Sequence, residues 1–278
     1  MEGWLSFWET YNSLILSVGV NSLLALSLYI TLSCGLLSLA NAAFMAIGAY
    51  TAAILTMNYD MPFMISLLAS CITPSMMALL IGIPVLRLSG VYLAMATLGF
   101  GEVVRVILLN LPITGGPLGL NGIPNLTEWY HVLIALLLVF FVIFRMNISK
   151  IGRAFEAIKE DEIAASLMGI AITKYKLLAF TISAFIAGLA GGLSVHYTST
   201  ISPGEFAFAR AVDLLTMTIL GGTTSLVGPI IGSSILTLLP EVLRFLNEYR
   251  LAVNGLILVL VVLYLPNGIY APKRTRQK

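Results

Sequence analysis

The ionisable residues of this sequence are few, and many of them lie in one stretch. Between Arg145 and Lys176, ten of the 28 charged residues occupy 32 positions, and long apolar runs flank the stretch on both sides. Charged side chains at this density are suited to polar contacts with water or with a soluble partner. We call residues 147–176 the charged island.

The centre of the island could dock as a short helix into a groove of such a partner. Residues 153–168 contain neither Pro nor Gly, which predicts one helix, and Gly169 can end it. Its apolar residues do not form one stripe, which argues against a simple membrane-surface helix. They are Phe155, Ile158, Ile163, Leu167 and Met168. A solvated loop that only connects two membrane helices is the alternative.

Four ionisable residues lie close to or within apolar runs elsewhere. Glu102 and Arg105 are three residues apart, a spacing that permits a local pair, and Asp213 could pair with Arg210. Each pair could either neutralise charge near a membrane interface or have a functional role. So few carboxylates argue against a proton relay, and therefore against a proton-driven transporter.

The remaining reactive side chains indicate no enzyme. The sequence contains no nucleophile and base grouping, HExxH motif, zinc-ligand spacing or Walker-type phosphate loop. We therefore expect no catalytic residues, metal or cofactor in this chain, and an external energy source. His131 and His196 are predicted to be interfacial residues at segment ends, and Cys34 and Cys71 to pack as small hydrophobic side chains without a disulfide.

Composition predicts an all-α polytopic membrane protein that forms a single domain over residues 1–278. Hydrophobic residues make up 59% of the chain and charged residues 10%, against about 25% charged in soluble domains. The backbone must satisfy its hydrogen bonds internally in lipid, which favours helices of about 20 residues. The predicted segments are 13–33, 36–57, 62–86, 91–111, 130–146, 177–197, 211–239 and 249–266. Basic residues at the boundaries give no indication of nucleic-acid binding.

Lys and Arg residues predict the orientation. They are frequent in the island and in residues 273–278, which places both in the cytoplasm and the N-terminus outside, with about seven to nine crossings. Residues 112–129 then form an outer loop whose Gly and Pro content predicts a fixed irregular shape. It could contact an external partner or simply connect two helices.

Residues 211–239 are predicted to enter and leave the membrane on the outer side. Their middle, GGTTSLVGP, predicts a turn, and each flanking limb would be only about 15–21 Å long. Irregular backbone at membrane depth must be buried or face water, so we expect a pathway wall there. The residues assigned to it are Gly221, Gly222, Thr223 and Gly228. A single kinked helix is the alternative.

Small and polar residues inside other segments have two possible roles each. Ala184, Gly188 and Gly192 recur every four positions, which favours close helix packing over a face that borders the path. Asn41 needs a hydrogen-bond partner in the membrane, so it either joins helices or faces the path.

Several segments together resemble one family of transporters. They are SLANAAFMAIGAYTAA (38–53), LRLSGVYLAMATLGFGEVVR (86–105), ITGGPLGLNGIP (113–124), the island, and LLTMTILGGTTSLVGPIIGS (214–233). In this order they resemble the M-type permease subunit of branched-chain amino acid ABC importers of bacteria and archaea. One departure is Ala40 and Asn41, where many relatives have Gly followed by His or Gln.

The resemblance implies a plasma-membrane heterodimer of two permeases, with two cytoplasmic ATP-binding subunits and an extracytoplasmic substrate-binding protein. ATP would be bound by the partner subunits. The island would be the coupling helix and would resemble the family's EAA-type loop. Its polar contacts would come from Arg153, Glu156, Glu160, Asp161 and Glu162, and its close approach from Ala164, Ala165 and Gly169. ABC permeases for urea, short amides, sugars or nucleosides remain alternatives, as does an ion-coupled secondary transporter.

Overall fold

The computed structural model describes residues 2–242 and 268–269, and this part of the chain is predominantly helical. Its helices are α1 (Glu2–Ser33), α2 (Asn41–Asn58), α3 (Phe63–Val85), α4 (Gly90–Asn110), α5 (Trp129–Ile148), α6 (Lys150–Glu160), α7 (Glu162–Leu167), α8 (Ile172–Thr198), α9 (Phe208–Gly221) and α10 (Gly228–Val242). Two short strands, β1 (Leu120–Asn121) and β2 (Thr200–Ile201), pair antiparallel. The predicted all-α class is confirmed.

Five helices in the described part of the chain are long and apolar enough to span a membrane. They are α1 from Asn12 onward, α3, α4, α5 and α8. The predicted segments 62–86, 91–111 and 130–146 agree with α3, α4 and α5 to within two residues. The chain is therefore a multi-pass membrane protein. The predicted segment 249–266 lies outside the described residues.

The centre of the molecule is formed by α8, which packs against α1, α2 and α3. Glycines permit this packing, because a Cβ on Gly188 would collide with the carbonyl oxygen of Ser70, and one on Gly48 would lie 2.5 Å from Gly188 Cα. Backbones that approach this closely gain van der Waals contacts that larger side chains would prevent.

The two ends of α8 carry different structures. The helix has 27 residues and is therefore about 40 Å long. The island precedes its first residue, and the loop 112–129 contacts its last turn. There the amides of Gly122 and Ile123 both donate to the carbonyl oxygen of Ser199, at 3.1 Å each. Together with the β1–β2 pair, these bonds give the loop the fixed irregular shape that its sequence predicts.

Residues 211–239 form two helices rather than one kinked helix. The turn 222–227 separates α9 from α10, and the two helices pack against each other and against α1. A Cβ on Gly232 would collide with the carbonyl oxygen of Met217, so the pair is close-packed. The amide of Ile269 donates to the carbonyl oxygen of Leu220 at 2.8 Å. Residues 268–269 therefore lie beside the turn.

Two predicted segment starts differ by five residues from the helix starts. The first is residue 36, because α2 begins only at Asn41: the Leu39 amide donates to Thr97 Oγ1 at 3.0 Å and the Ala40 amide to Ser38 Oγ at 3.2 Å. In these bonds the amides of Leu39 and Ala40 have side-chain acceptors instead of the carbonyl oxygens of a preceding helical turn. The second is residue 177, because α8 begins at Ile172 and its first turns lie outside the apolar run.

Candidate functional site

The island contains two helices, so the prediction of one helix over 153–168 is wrong. The chain breaks at Asp161, whose φ of −158° is extended. Asp161 Oδ1 accepts hydrogen bonds from the amides of Ile163 at 2.8 Å and Ala164 at 3.0 Å, which makes it the N-cap of α7. Asp is among the preferred N-cap residues. An Asp followed by Glu162 was the signal in the sequence that would have indicated a new helix start.

The apolar residues of the island divide between these two helices. Phe155 and Ile158 of α6 are buried within the chain. In contrast, Ile163, Leu167 and Met168 at α7 are 75%, 84% and 79% exposed. This division explains why the island shows no single apolar stripe. As a result, α6 anchors the island and α7 presents three large apolar side chains outward.

An ion pair fixes the position of α7. Lys176 Nζ lies 2.6 Å from Glu162 Oε1, and the Lys176 side chain is almost fully buried. Ala165 is 2% exposed and packs into the chain's own core, so its side chain is not available to a partner in this conformation. Gly169 follows the helix with a φ of +81°, a left-handed conformation that glycine adopts without strain.

The other residues predicted for coupling lie mostly on the island's surface. Arg153, Glu160 and Ala164 are exposed, and Glu156 is half-buried. The exposed set therefore adds charges of both signs to the island that presents the apolar side chains of α7. Such a mixed surface is typical of a site that contacts another protein.

The turn between α9 and α10 lies beside the island. Thr223 lines an open cavity of about 420 Å³ together with Gly35 and Lys159. Gly221 and Gly228 have a different role, since a Cβ on either would collide with the other's backbone. Of these three predicted pathway residues, Thr223 lines the cavity, whereas the two glycines allow the backbone to pack closely.

Gly222 and Asn41 also have structural surroundings. Gly222 ends α9 with a φ of +106°. Asn41 is 2% exposed, and its Nδ2 donates to Ser27 Oγ at 2.7 Å and to Ser183 Oγ at 2.8 Å. These bonds join α1, α2 and α8. The geometry therefore favours a helix-joining role for Asn41 over an exposed position on the path.

The small residues of α8 face other helices. Ala184, Gly188 and Gly192 are all buried, and a Cβ on Gly192 would collide with the side chain of Ser70 on α3. This arrangement is the one that close helix packing requires.

The ionisable residues within the helices differ in their partners. Arg105 Nε donates to Glu102 Oε2 at 2.8 Å, as their spacing predicts. Arg210 instead donates its Nη2 to Asn21 Oδ1 at 2.8 Å, and Asn21 Nδ2 donates to Thr237 Oγ1 at 2.9 Å. Arg210 thus ties α9 to α1 and α10, a contact that sequence spacing could not reveal.

The prediction that His196 is interfacial is wrong. Its side chain is fully buried, with Nε2 2.9 Å from Thr56 Oγ1 and Nδ1 2.8 Å from the carbonyl oxygen of Gly192. A carbonyl oxygen only accepts, so Nδ1 carries the hydrogen in the neutral ring. The single hydroxyl hydrogen of Thr56 has two acceptors within reach, His196 Nε2 and the carbonyl oxygen of Ala52, at 2.9 Å each. The ring of Phe63 covers His196 from one side. Nothing in the spacing of these residues indicates the contact.

Comparison with known proteins agrees with these features. Residues 10–262 match the family described as the permease component of branched-chain amino acid transport systems. The chain belongs to this family. The permease is 38% identical to the high-affinity branched-chain amino acid transport system permease protein LivM of Salmonella typhimurium strain LT2, over 95% of this chain and 69% of the relative. LivM of Escherichia coli K12 is 37% identical over the same shares.

A second type of permease is also related to the chain. The high-affinity branched-chain amino acid transport system permease protein LivH of Escherichia coli K12 is 35% identical over 44% of this chain and 40% of the relative. No solved structure matches the permease significantly. The family resemblance carried by the sequence motifs is thereby confirmed, and its M-type assignment agrees with the coverage by LivM.

Proposed function

We propose that this permease is a transmembrane subunit of an ATP-driven importer that carries branched-chain amino acids across a bacterial or archaeal plasma membrane. The names of its LivM relatives support the cargo. Its relation to LivH supports pairing with a second, homologous permease. Two ATP-binding subunits and an extracytoplasmic binding protein complete the proposed assembly.

In this assembly the island and the C-terminus lie in the cytoplasm, and the N-terminus and loop 112–129 lie outside. The chain crosses the membrane about seven to nine times, with α9 and α10 as a re-entrant pair. Two features support the placement of the island and the turn 222–227 on the same side of the membrane. Lys159 and Thr223 line the same cavity, and a Cβ on Gly35 would lie 3.2 Å from Lys159 Cα.

The observation that carries the proposal is the exposed apolar surface of α7. Ile163, Leu167 and Met168 project from a short helix whose position is held by the Glu162–Lys176 pair. Exposed apolar side chains on an island that also carries exposed charges are suited to fill a groove of a soluble ATP-binding subunit. A partner that moves α7 would also move α8, because Lys176 belongs to that helix.

The experiment reconstitutes the complete importer and compares two leucines of equal exposure. Leu167 on α7 and Leu118 in the outer loop are each 84% exposed. We expect Leu167→Asp to reduce the co-purified ATP-binding subunits and ATP-driven leucine uptake by about tenfold or more, as for a central interface residue. Leu118→Asp should retain the ATP-binding subunits.

Two results would contradict the proposal. Normal subunit retention and uptake with Leu167→Asp would reject the docking role of α7. Leucine uptake that follows an ion gradient in vesicles without ATP would reject the ATP-driven class itself.

A further inference from the structure

The exposed helix surfaces of the permease are of two chemical kinds. On α3 and α5 the exposed side chains within the membrane run are large and apolar, for example Leu68, Leu80, Leu137 and Phe141. The sequence of α3 contains no charged residue, and Arg145 of α5 lies in the last turn of that helix. These surfaces are suited to lipid.

The exposed side of α4 also has large apolar side chains, such as Val103 and Ile107, but it differs from α3 and α5 because it carries an ion pair as well. The side chains of Glu102 and Arg105 are 37% and 30% exposed. Glu102 is 12 residues from Gly90 and 8 from Asn110, which places it about 18 Å and 12 Å from the two ends of α4. Charges at such depth are costly in hydrocarbon, so they face protein or a water-filled cavity.

Irregular backbone lies at the same depth. The 3₁₀ turn Pro203–Phe206 packs against α2 and α4, and the Phe206 ring lies 6.4 Å from that of Tyr50, in the middle of α2. A narrow groove is lined jointly by Glu102, Phe206 and Phe208. Non-helical backbone at membrane depth occurs where it is buried in protein or lines a water-filled cavity. The ion pair and the turn therefore both indicate that the transport path runs along this part of the molecule.

We propose that Glu102 and Arg105 bind the charged groups of the amino acid as it passes through the membrane. The Glu102 carboxylate would accept hydrogen bonds from the α-ammonium group, and the Arg105 guanidinium would donate to the α-carboxylate. This inference rests on the proposed function, because it takes an amino acid as the cargo. It adds a site within the membrane that binds the α-ammonium and α-carboxylate groups, which all branched-chain amino acids share.

The geometry of the pair agrees with this role. Arg105 uses Nε for Glu102, and a guanidinium has five N–H donors, so both terminal nitrogens can serve a carboxylate. The pair and a zwitterion each have a net charge of zero and carry opposite charges close together. When the amino acid binds, each charge of the pair meets the opposite charge of the zwitterion instead of its former partner. No charge is then left unpaired in the membrane.

The main test measures leucine uptake by the complete importer in proteoliposomes with Glu102→Gln, Arg105→Gln and the reversed pair E102R/R105E. We expect each variant to assemble and to reduce uptake by about tenfold or more, as the loss of a charge-assisted hydrogen bond does. The lipid-facing Leu137→Gln is the control for activity. A purely structural pair would be rescued by reversal, and restored uptake with E102R/R105E would overturn the proposal.

A labelling experiment separates the path from a contact with the second permease. In the assembled importer, Glu102→Cys should react with a cationic water-soluble thiol reagent, and leucine with the binding protein should slow that reaction. Burial raises the pKa of the Cys34 thiol to about 12, which keeps this native thiol protonated and unreactive. Absence of labelling at Glu102→Cys, or loss of the second permease from the single variants, would assign the pair to a subunit contact instead.

The outcomes also distinguish this proposal from the proposed function. If the wild-type importer transports no leucine with ATP, the proposed function fails and this site fails with it. If the wild type transports leucine and the single variants do so equally well, only the site is rejected.

Discussion

The glycines of α8 and those of α4 have opposite surroundings. A Cβ on Gly188 of α8 would collide with the carbonyl oxygen of Ser70, whereas a Cβ on Gly99 or Gly101 of α4 would have no atom of another described part of the chain within 4 Å. Small residues in a membrane helix therefore serve two purposes in one molecule. On α8 they permit backbone contact, and on α4 they leave a surface open beside the Glu102–Arg105 pair.

The largest effect is expected at the crowded position. Gly188→Leu should destabilise the protein by about 3 kcal/mol or more, because its side chain would have to displace the backbone of α3. The measurement is the yield and thermal midpoint of the purified permease in detergent. A wild-type yield would show that α3 and α8 are not in backbone contact, and the contrast between the two helices would then disappear.

The same substitution at the open position should act on transport instead. A Cβ at Gly99 has open space around it in the described part of the chain, and leucine improves helix propensity by up to about 1 kcal/mol, so with Gly99→Leu the thermal midpoint should stay equal or rise. Uptake should fall by about tenfold, since a bulky group would enter the path or the contact with the second permease. Loss of the folded protein, as with Gly188→Leu, would contradict the open position of α4.

The contrast also shows which features the sequence can predict. Apolar length predicted α3, α4 and α5 to within two residues, because lipid thickness dictates helix length. The break at Asp161 has a local N-cap signal, but the absence of Pro and Gly from residues 153–168 predicts one continuous helix there. The contacts of Arg210 with Asn21 and of His196 with Thr56 join residues more than a hundred positions apart. Such contacts depend on helix packing, which a single sequence does not specify.

A smaller loss of stability is expected at Asn41, which also lies among the buried helix contacts. Its amide links Ser27 and Ser183, and hydrogen bonds between membrane helices contribute on average about 0.6 kcal/mol each. Asn41→Ala should therefore lower stability by about 1 kcal/mol and leave the affinity for transported leucine unchanged. Thermal unfolding and the concentration dependence of uptake measure the two effects. If uptake were abolished while stability stayed unchanged, Asn41 would instead be assigned to the transport path.

The smallest effect is expected on the lipid-facing side of α5, where two positions on one helix can be compared. Leu137 is exposed and Val139 is buried. Because lipid tails are as apolar as leucine, Leu137→Ala should change stability by no more than about 0.5 kcal/mol and leave uptake near the wild-type rate. Val139→Ala should cost more, since it leaves a cavity inside the chain. If thermal unfolding shows the opposite order, the surface of α5 contacts protein rather than lipid. The surface of α5 would then no longer serve as the lipid-facing reference for the ion-paired side of α4.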